Sequence, residues 1–322
     1  MSKSLGRFLL CAGVAILGSW TCAAFWFWLD SPLCWLAFAL TAAVAFAIIV
    51  LGQRRPAIAW ASLGLAAVIV AAWWISIRPS NDRDWAPDVA RGVTGEIRGA
   101  EVRLHNVRNF DWRTEQDFTP RWETRRYALD QLESVDLVSS VWGNPAIAHT
   151  LISFGFSDGD HIVFSAEIRR ERDESFSEIG GFFKEFELVM IAATENDIVR
   201  LRTDVRRENV SLFPLRLSPE QGRELFVSYV EKANELADEP EFYQTITTNC
   251  TTVIFKLARL IEPGIPLDWR VLLSGYLPDY LYDHDLIRTD LPLEEIKRKA
   301  LINPHNSSSS DDFSVAIRKG AG

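Results

Sequence analysis

The apolar residues divide the chain into two parts that suit different solvents. Between Phe8 and Ile77 only three residues are charged, whereas the chain beyond Arg78 is dense in Asp, Glu and Arg. A membrane-spanning helix needs roughly 20 apolar residues. The first part contains three runs of about this length: 8–29, 33–51 and 57–77. The pattern predicts a three-span anchor over 1–77, because a cleaved signal peptide would have one shorter apolar stretch.

Basic residues beside these runs predict how the anchor is oriented. Lys3 and Arg7 precede the first run, and Arg54 and Arg55 separate the second from the third. Short loops that carry Lys and Arg stay on the cytoplasmic side of a membrane. The remainder of the chain, 78–322, is therefore expected on the opposite side.

Alternating apolar and polar positions predict a sheet in this outer part. A linker over 78–95, rich in turn residues, is expected to precede a folded domain over 96–302. Asp158 and Gly159 form a hairpin signal between two strand-like stretches. The stretches follow one another closely, so we expect a mostly antiparallel sheet of sequence neighbours: 96–107, 134–142, 147–154, 161–169, 186–193, 198–205 and 210–217.

Helical patterns appear later in the domain. Ser218 has the N-cap position of a helix and Gln221 the matching capping-box position, ahead of an apolar face. A second helix is predicted to begin at Cys250, and a short one to cover 293–301. The Ser-rich segment 303–322 is expected to be disordered. The predicted fold class is α+β, with three transmembrane helices in front.

Charge and motif content exclude several function classes. The anchor carries four basic residues and one acidic residue, so its net charge is +3 and the rest of the chain carries −9 − 3 = −12. An acidic domain does not suit nucleic acid, nor a polybasic attachment to anionic lipid. No His-Glu-x-x-His, paired Cys or Gly-rich phosphate loop occurs. We therefore expect no metal and no organic cofactor.

The cysteines direct attention to one thiol. Cys250 is the sole cysteine of the outer domain, whereas the others lie in the spans: Cys11, Cys22 and Cys34. Without a disulfide partner, Cys250 is either a buried inert residue or a reactive thiol. Asn249 or Thr248 is expected to cap its helix, which places Cys250 in the first turn. Unpaired N–H groups and the helix dipole favour a thiolate there.

A reactive thiol needs a base, and the domain offers five histidines: His105, His149, His161, His284 and His305. His284 and His305 lie in polar segments and are expected to be solvated. His149 begins an alternating run, so it projects from a strand in fixed geometry. The hairpin places either Glu167 or His161 on the adjacent strand, where it would orient the imidazole. Glu167 is the preferred choice, although a salt bridge to a neighbouring arginine is an equally good explanation.

Several short segments occur together in a characteristic order. They are Val107–Phe110, His149-Thr150, Ser153-Phe154, Ser165–Glu171, Phe186–Leu188, Leu201–Thr203 and Thr248–Thr252. Over roughly 95–265 the chain resembles the bacterial Lnb N-terminal periplasmic domain family. That family is similar to circularly permuted papain-like (NlpC-type) thiol enzymes, among them lecithin:retinol acyltransferase, in which the base His precedes the nucleophilic Cys.

The resemblance implies a papain-like domain with an antiparallel sheet and a helix carrying the Cys. It also implies a location in the bacterial inner membrane and transfer of a fatty acyl chain from a lipid ester to an amine, such as a lipoprotein N-terminus. Cys250 would be the nucleophile and His149 the base. The helix start at Asn249 and Thr251 would hold the oxyanion.

Other interpretations remain open at the level of sequence. Arg169 and Arg170 either bind a substrate phosphate or are solvated charges at a strand end. A thiol peptidase or amidase acting on cell-wall peptides would form the same acyl-enzyme. A membrane-tethered binding module with an inert Cys250 would need none of this chemistry.

Overall fold

The structure is a computed structural model that describes residues 3–177, 179–262, 264–302 and 310–319. The chain forms two compact units. The first, here called the helical unit, contains Met1–Ser80 and Phe176–Glu185. The second, the sheet unit, contains Asn81–Ser175 and Phe186–Gly322. The chain therefore leaves the sheet unit once, after Ser175, and returns to it at Phe186.

The helical unit is built on three long helices: α1 (Lys3–Trp28), α2 (Ser31–Arg54) and α3 (Pro56–Ser76). Each is long and apolar enough to cross a membrane, as the sequence predicted. Pro32 and Pro56 lie in the first turns of α2 and α3, where a proline costs no intrahelical hydrogen bond.

The sheet unit begins with short strands and ends with helices around one main sheet. Its strands are β1 (Thr94–Arg98), β2 (Glu101–Arg108), β3 (Asp111–Trp112), β4 (Phe118–Thr119), β5 (Trp122–Ala128), β6 (Leu132–Val141), β7 (Ala148–Phe156), β8 (His161–Arg169), β9 (Glu187–Thr194), β10 (Asn209–Pro214) and β11 (Leu301–Ile302). Its helices are α4 (Glu195–Arg200), α5 (Pro219–Asp238), α6 (Cys250–Ile261), α7 (Leu277–Asp283), α8 (Leu293–Ala300) and α9 (Ser310–Arg318).

The strand order of the main sheet is β1-β2-β9-β8-β7-β6-β10-β11, and β5 pairs with β2 as well. Neighbouring strands are antiparallel except β2 and β9, which meet in parallel at Arg108 and Ala193. The predicted α+β class is confirmed. β7 and β8 are joined by the expected hairpin, in which Gly159 has a φ of +87°. Such a backbone angle favours glycine.

Both faces of the sheet are covered by helices. On one face Phe154 and Phe164 pack edge-on against Phe226 of α5, and this core continues through α6 and α7. On the other face the strands pack against α4 and α9, through residues such as Ile198 and Phe313. Because successive strand residues point to opposite faces, β7 contributes to both cores and is held on each side.

Two predicted strands differ from the structure. The stretch 96–107 is interrupted by a turn at Gly99, whose φ is +62°, and forms parts of the antiparallel strands β1 and β2. Residues 198–205 are helical: α4 ends at Arg200 and continues as a π-helical turn over Leu201–Val205. Thr194 accepts a hydrogen bond from the Asp197 N–H and so caps α4. This cap and the acidic first turn favour a helix over a strand.

The expected linker over 78–95 is also wrong for most of its length. The boundary between the two units falls at Ser80. Beyond it the chain is part of the sheet unit's core, where four apolar side chains are buried: Trp85, Ala86, Val89 and Val93. Burial of these side chains outweighs the turn-forming composition on which the linker prediction depended.

The prediction of a disordered tail over 303–322 fails for the part that is described. α9 buries Phe313 and Ile317 against the sheet. Arg318 donates to Glu195 at 2.7 Å and to Asp136 at 2.7 Å. These two carboxylates are almost fully buried, and the cation supplies their counter-charge. Residues 303–309 and 320–322 of the predicted tail lie outside the described residues.

Candidate active site

His149 stands at the start of β7, where the β7–β8 register determines its neighbour. The ladder pairs Ile152 with Phe164 and Gly155 with His161. Continued by three residues, the same register places Glu167 opposite His149. Glu167, which the sequence analysis preferred as the partner of the His149 imidazole, is therefore the residue that lies beside it.

The imidazole is held by two side chains of β8. His149 Nε2 lies 2.8 Å from Ser165 Oγ and 3.1 Å from Glu167 Oε1. Ser165 donates its own hydroxyl to the same carboxylate oxygen at 2.8 Å. With Nε2 engaged by Glu167 and Ser165, Nδ1 is the ring nitrogen left for a proton exchange with another group.

Arg202 is a further member of the cluster that the sequence did not assign. Its Nη2 donates to Glu167 Oε1 at 3.1 Å, and its Nη1 donates to the Ile198 carbonyl at 2.9 Å. Burial disfavours the charged carboxylate, but the His149 imidazolium and Arg202 hold the pKa of Glu167 well below its usual range. Glu167 is therefore ionised and fixed in position.

Cys250 is the first residue of α6, where a capping box organises the turn. Asn249 Oδ1 accepts from the Thr252 N–H at 2.8 Å, and Thr252 Oγ1 accepts from the Asn249 N–H at 2.8 Å. The Val253 N–H donates to the Asn249 carbonyl. Within the described chain, the N–H groups of Cys250 and Thr251 have no protein acceptor. Such free N–H groups at a helix start are suited to an anionic oxygen.

The thiol of Cys250 is buried beside the start of β7. Its Sγ lies 4.0 Å from the Ala148 carbonyl and 3.8 Å from Thr251 Oγ1, and 8% of the residue is exposed. Burial alone would raise the pKa of Cys250. The charge of the nearby His149 imidazolium opposes burial, and the pKa of Cys250 is lowered from 9.0 to about 7.

The pKa of His149 moves in the opposite direction. Burial, the largest single influence, disfavours the imidazolium, and the nearby Arg202 does so too. The charges of Glu167 and of the Cys250 thiolate together outweigh both, so the pKa of His149 rises to about 9. Between pH 7 and pH 9 the pair therefore exists as thiolate and imidazolium. This is the ionic form of an activated cysteine.

Two residues after α6 hold the segment in front of His149. Ser274 Oγ accepts from the Ala148 N–H at 2.8 Å, and the Gly275 N–H donates to the Ala146 carbonyl at 3.1 Å. A Cβ on Gly275 would collide with the Pro145 carbonyl oxygen. This close backbone approach requires glycine and fixes the strand that presents both His149 and the carbonyl beside the thiol.

Other residues singled out from the sequence have different roles. His161 Nδ1 lies 3.0 Å from the Gly159 carbonyl, so His161 belongs to the hairpin and does not orient His149. Both ends of the Asn249 side-chain amide are already hydrogen-bonded: Oδ1 forms the cap, and Nδ2 donates to the Thr245 carbonyl. Only the backbone N–H groups of this turn could therefore bind an oxyanion.

The two arginines proposed for a phosphate are also engaged. The guanidinium of Arg169 donates to the Val89 and Ala90 carbonyls and stacks on Trp85 at 4.5 Å. Arg170 pairs with Asp88 at 2.8 Å. Both anchor the segment that was expected to be a linker, and the phosphate prediction is not supported for either.

The remaining histidines lie away from this cluster. His105 contacts Glu96 and Thr124, and His284 packs on Tyr280. His305 lies outside the described residues. Across the part of the chain that is described, no group of three or more potential ligand side chains forms a metal site.

Comparison with protein families finds the Lnb N-terminal periplasmic domain over residues 118–275. The matched region includes all four members of the cluster: His149, Glu167, Arg202 and Cys250. Searches of curated proteins and of solved structures gave no match. Over residues 118–275, just under half of the chain, the protein is therefore similar to the Lnb N-terminal periplasmic domain family, and its three N-terminal helices are long and apolar enough to cross a membrane.

Proposed function

We propose that the protein is a Cys-dependent acyltransferase of the bacterial inner membrane, a multi-pass protein whose sheet unit lies in the periplasm. The observation that carries the proposal is the chain of contacts from Arg202 through Glu167 to His149. It lies near the buried thiol of Cys250 at the start of α6, and the His149 charge lowers the pKa of that thiol. An inert structural cysteine needs no such arrangement. A nucleophilic thiolate needs both a base and a group that orients the base.

The first half of the proposed reaction forms an acyl-enzyme. The Cys250 thiolate attacks the carbonyl carbon of a lipid ester, and the N–H groups of Cys250 and Thr251 stabilise the oxyanion. The C–S bond forms, the ester C–O bond breaks, and the His149 imidazolium gives its proton to the leaving alkoxide. The products are a thioester on Cys250 and a free alcohol.

The second half transfers the acyl chain to an amine. The neutral imidazole of His149 takes a proton from the attacking amine as the C–N bond forms. The C–S bond then breaks, and the thiolate is regenerated beside the imidazolium. Glu167 and Ser165 hold the ring so that the same nitrogen serves both halves.

The membrane anchor supports a lipid-derived donor and a membrane-bound acceptor, such as a lipoprotein N-terminus. An ester that lies in the plane of the membrane meets an anchored enzyme in two dimensions, which raises its effective concentration. We expect the conservative variant Cys250→Ser to abolish N-acylation of lipoproteins in a strain that lacks any other N-acylating enzyme.

The experiment compares the lipoprotein N-termini of this strain carrying wild-type protein, Cys250→Ser or the matched control Ser228→Ala, which alters a half-buried position on α5. N-acylation present with wild type and Ser228→Ala but lost with Cys250→Ser supports the proposal. An unchanged profile with Cys250→Ser contradicts it, and cleavage of cell-wall peptides by the wild type alone would indicate a peptidase instead.

A further inference from the structure

An apolar cavity runs beside the proposed nucleophile. Its volume is about 310 Å³, which is within the usual range of ligand pockets. One wall is a stripe along α6 that includes Thr251, Ile254, Ala258 and Ile261. The opposite walls come from α5 and α7 and from the sheet, so the cavity lies inside the core that covers this face.

The cavity lies along α6, and the first residue of this helix to line it is Thr251, which follows Cys250. Thr251 lies in its wall, and Thr251 Oγ1 is 3.8 Å from Cys250 Sγ. From Thr251 to Ile261 is ten residues, or ~15 Å at the rise of an α-helix. The Thr251 hydroxyl is engaged by Thr150 Oγ1 at 3.1 Å, so it presents little unmet polarity to the cavity.

We infer that this cavity binds the aliphatic chain of the acyl group carried by Cys250. A partly open cavity whose surface is almost wholly apolar disfavours a peptide, whose backbone would lose its hydrogen bonds to water. A hydrocarbon chain loses none. The inference rests on the proposed acyl transfer at Cys250 and specifies its substrate as a medium or long alkyl chain.

A pair of alkylating reagents tests the cavity without requiring turnover. Full-length protein in detergent is treated with iodoacetamide or with N-decyl iodoacetamide. In both reactions the thiolate forms a C–S bond and iodide leaves. The quantity measured is the ratio of the decyl rate to the parent rate at Cys250, followed by mass spectrometry. The decyl reagent partitions into detergent to the same extent with every variant. A difference in the decyl-to-parent rate ratio between variants therefore reflects a difference in the protein.

Ala258→Trp fills the cavity, whereas Leu260→Trp adds the same side chain on the exposed face of the same helix, where Leu260 is 70% exposed. Each methylene kept from water is worth about fourfold. Loss of room for two or more methylenes should therefore lower the decyl-to-parent ratio on the order of tenfold in Ala258→Trp. We expect Leu260→Trp to keep the wild-type ratio.

The outcomes separate this inference from the proposed function. An unchanged ratio in Ala258→Trp overturns the cavity assignment while leaving a reactive Cys250 in place. Failure of iodoacetamide itself to alkylate Cys250 in the folded wild type overturns the proposed function and this inference with it. If Ala258→Trp does not fold, the smaller Ala258→Leu carries the same comparison with the same two results.

A second surface of the molecule supports an independent inference. The segment Phe176–Glu185 interrupts the connection between β8 and β9, yet it belongs to the helical unit. Trp28 Nε1 of α1 donates to the Phe183 carbonyl at 2.7 Å. Phe183 stacks on Phe27 with ring centroids 5.1 Å apart. Lys184 Nζ donates to the Trp74 carbonyl near the end of α3 at 2.8 Å.

These contacts hold one side of the segment against the ends of α1 and α3 that are expected on the periplasmic side. Three large apolar side chains of the same segment are left exposed: Phe176 is 57% exposed, Ile179 62% and Phe182 46%. Exposure of several large apolar side chains within one short segment is costly in water. Aromatic and aliphatic residues next to the ends of membrane helices favour the lipid interface.

We propose that Phe176, Ile179 and Phe182 insert into the outer leaflet of the membrane. The segment would then be a fourth membrane contact of the helical unit. The occupant of these side chains is lipid because the segment is held at the ends of helices that are themselves expected to be lipid-embedded.

Photo-crosslinking in phospholipid nanodiscs tests this insertion. A benzoylphenylalanine replaces Ile179 in one protein, the lipid-facing Ile69 of α3 in a second, and Arg98, 81% of whose side chain is exposed, in a third. We expect lipid adducts at position 179 at a level comparable to position 69, and few at position 98. A yield at position 179 no higher than at position 98 would overturn the proposal.

Discussion

Replacing His149 with alanine is expected to remove most of the ionisation of Cys250 at neutral pH. In the wild type the imidazolium lowers the pKa of this thiol from 9.0 to about 7. That difference is a factor of about 100 in the ionisation constant, or about 2.7 kcal/mol in favour of the thiolate. At pH 7 the fraction of thiolate should fall from about one half to ~1% in His149→Ala.

The rate of alkylation falls less than the fraction of thiolate. A thiolate of higher pKa is intrinsically more nucleophilic, by roughly eightfold over this range. The net loss of rate at pH 7 is then about sixfold. The pH at which labelling reaches half its maximum does not depend on the nucleophilicity of the thiolate. This midpoint therefore reports the change in the pKa of Cys250 more directly than the rate at pH 7 does.

The assay follows iodoacetamide labelling of Cys250 in the full-length protein between pH 5 and pH 10. Because the folded-state pKa of the thiol is lowered, labelling of the wild type should rise with a midpoint near 7. In His149→Ala the midpoint should move to 9 or above, since burial of the thiol remains. His161→Ala is the matched control and should keep the wild-type midpoint. A midpoint near 7 in His149→Ala would refute the assigned ion pair.

Three further changes test the surroundings of the pair. Glu167→Gln removes the charge that raises the pKa of His149, so the labelling midpoint of Cys250 should lie between those of wild type and His149→Ala; a wild-type midpoint would argue against an orienting carboxylate. Arg318→Ala leaves the buried Glu195 without its cation and should lower the free energy of unfolding by about 3 kcal/mol, measured by urea denaturation, whereas the exposed Arg98→Ala should cost less than about 1 kcal/mol. Equal losses in those two variants would contradict the assignment of a buried pair. Gly275→Ala should displace the segment before β7, lower stability by about 1–3 kcal/mol and raise the labelling midpoint; unchanged values of both would show that the close approach has no effect on the site.

Local chemistry explains what the sequence could predict. Apolar length predicted the three long helices that could cross a membrane. The Ser218 capping box and the Asp158-Gly159 turn are signals contained within a few residues. The hairpin carried the most information about the site. The hairpin turn shows that β8 lies beside β7. Without the register, the sequence left Glu167 and His161 as candidates for the neighbour of His149, and the observed register selects Glu167.

Contacts between distant parts of the chain explain what it could not predict. Arg202 reaches Glu167 across 35 residues, and its segment was interpreted as a strand because short apolar alternation does not distinguish the two states. β5 was missed because Trp122 and Tyr127 are the only large apolar residues among its charged positions. The ion pairs of Arg318 that order α9 depend on residues more than a hundred positions away.

The most direct test of the account is whether Cys250 becomes acylated. Full-length protein is incubated in nanodiscs made from a single phospholipid, and its intact mass is measured before and after treatment with neutral hydroxylamine, which cleaves thioesters. If Cys250 forms an acyl-enzyme, the wild type gains the mass of one fatty acyl chain, hydroxylamine removes it, and Cys250→Ala lacks it. The absence of any adduct on the wild type, or an adduct that persists in Cys250→Ala, would contradict it.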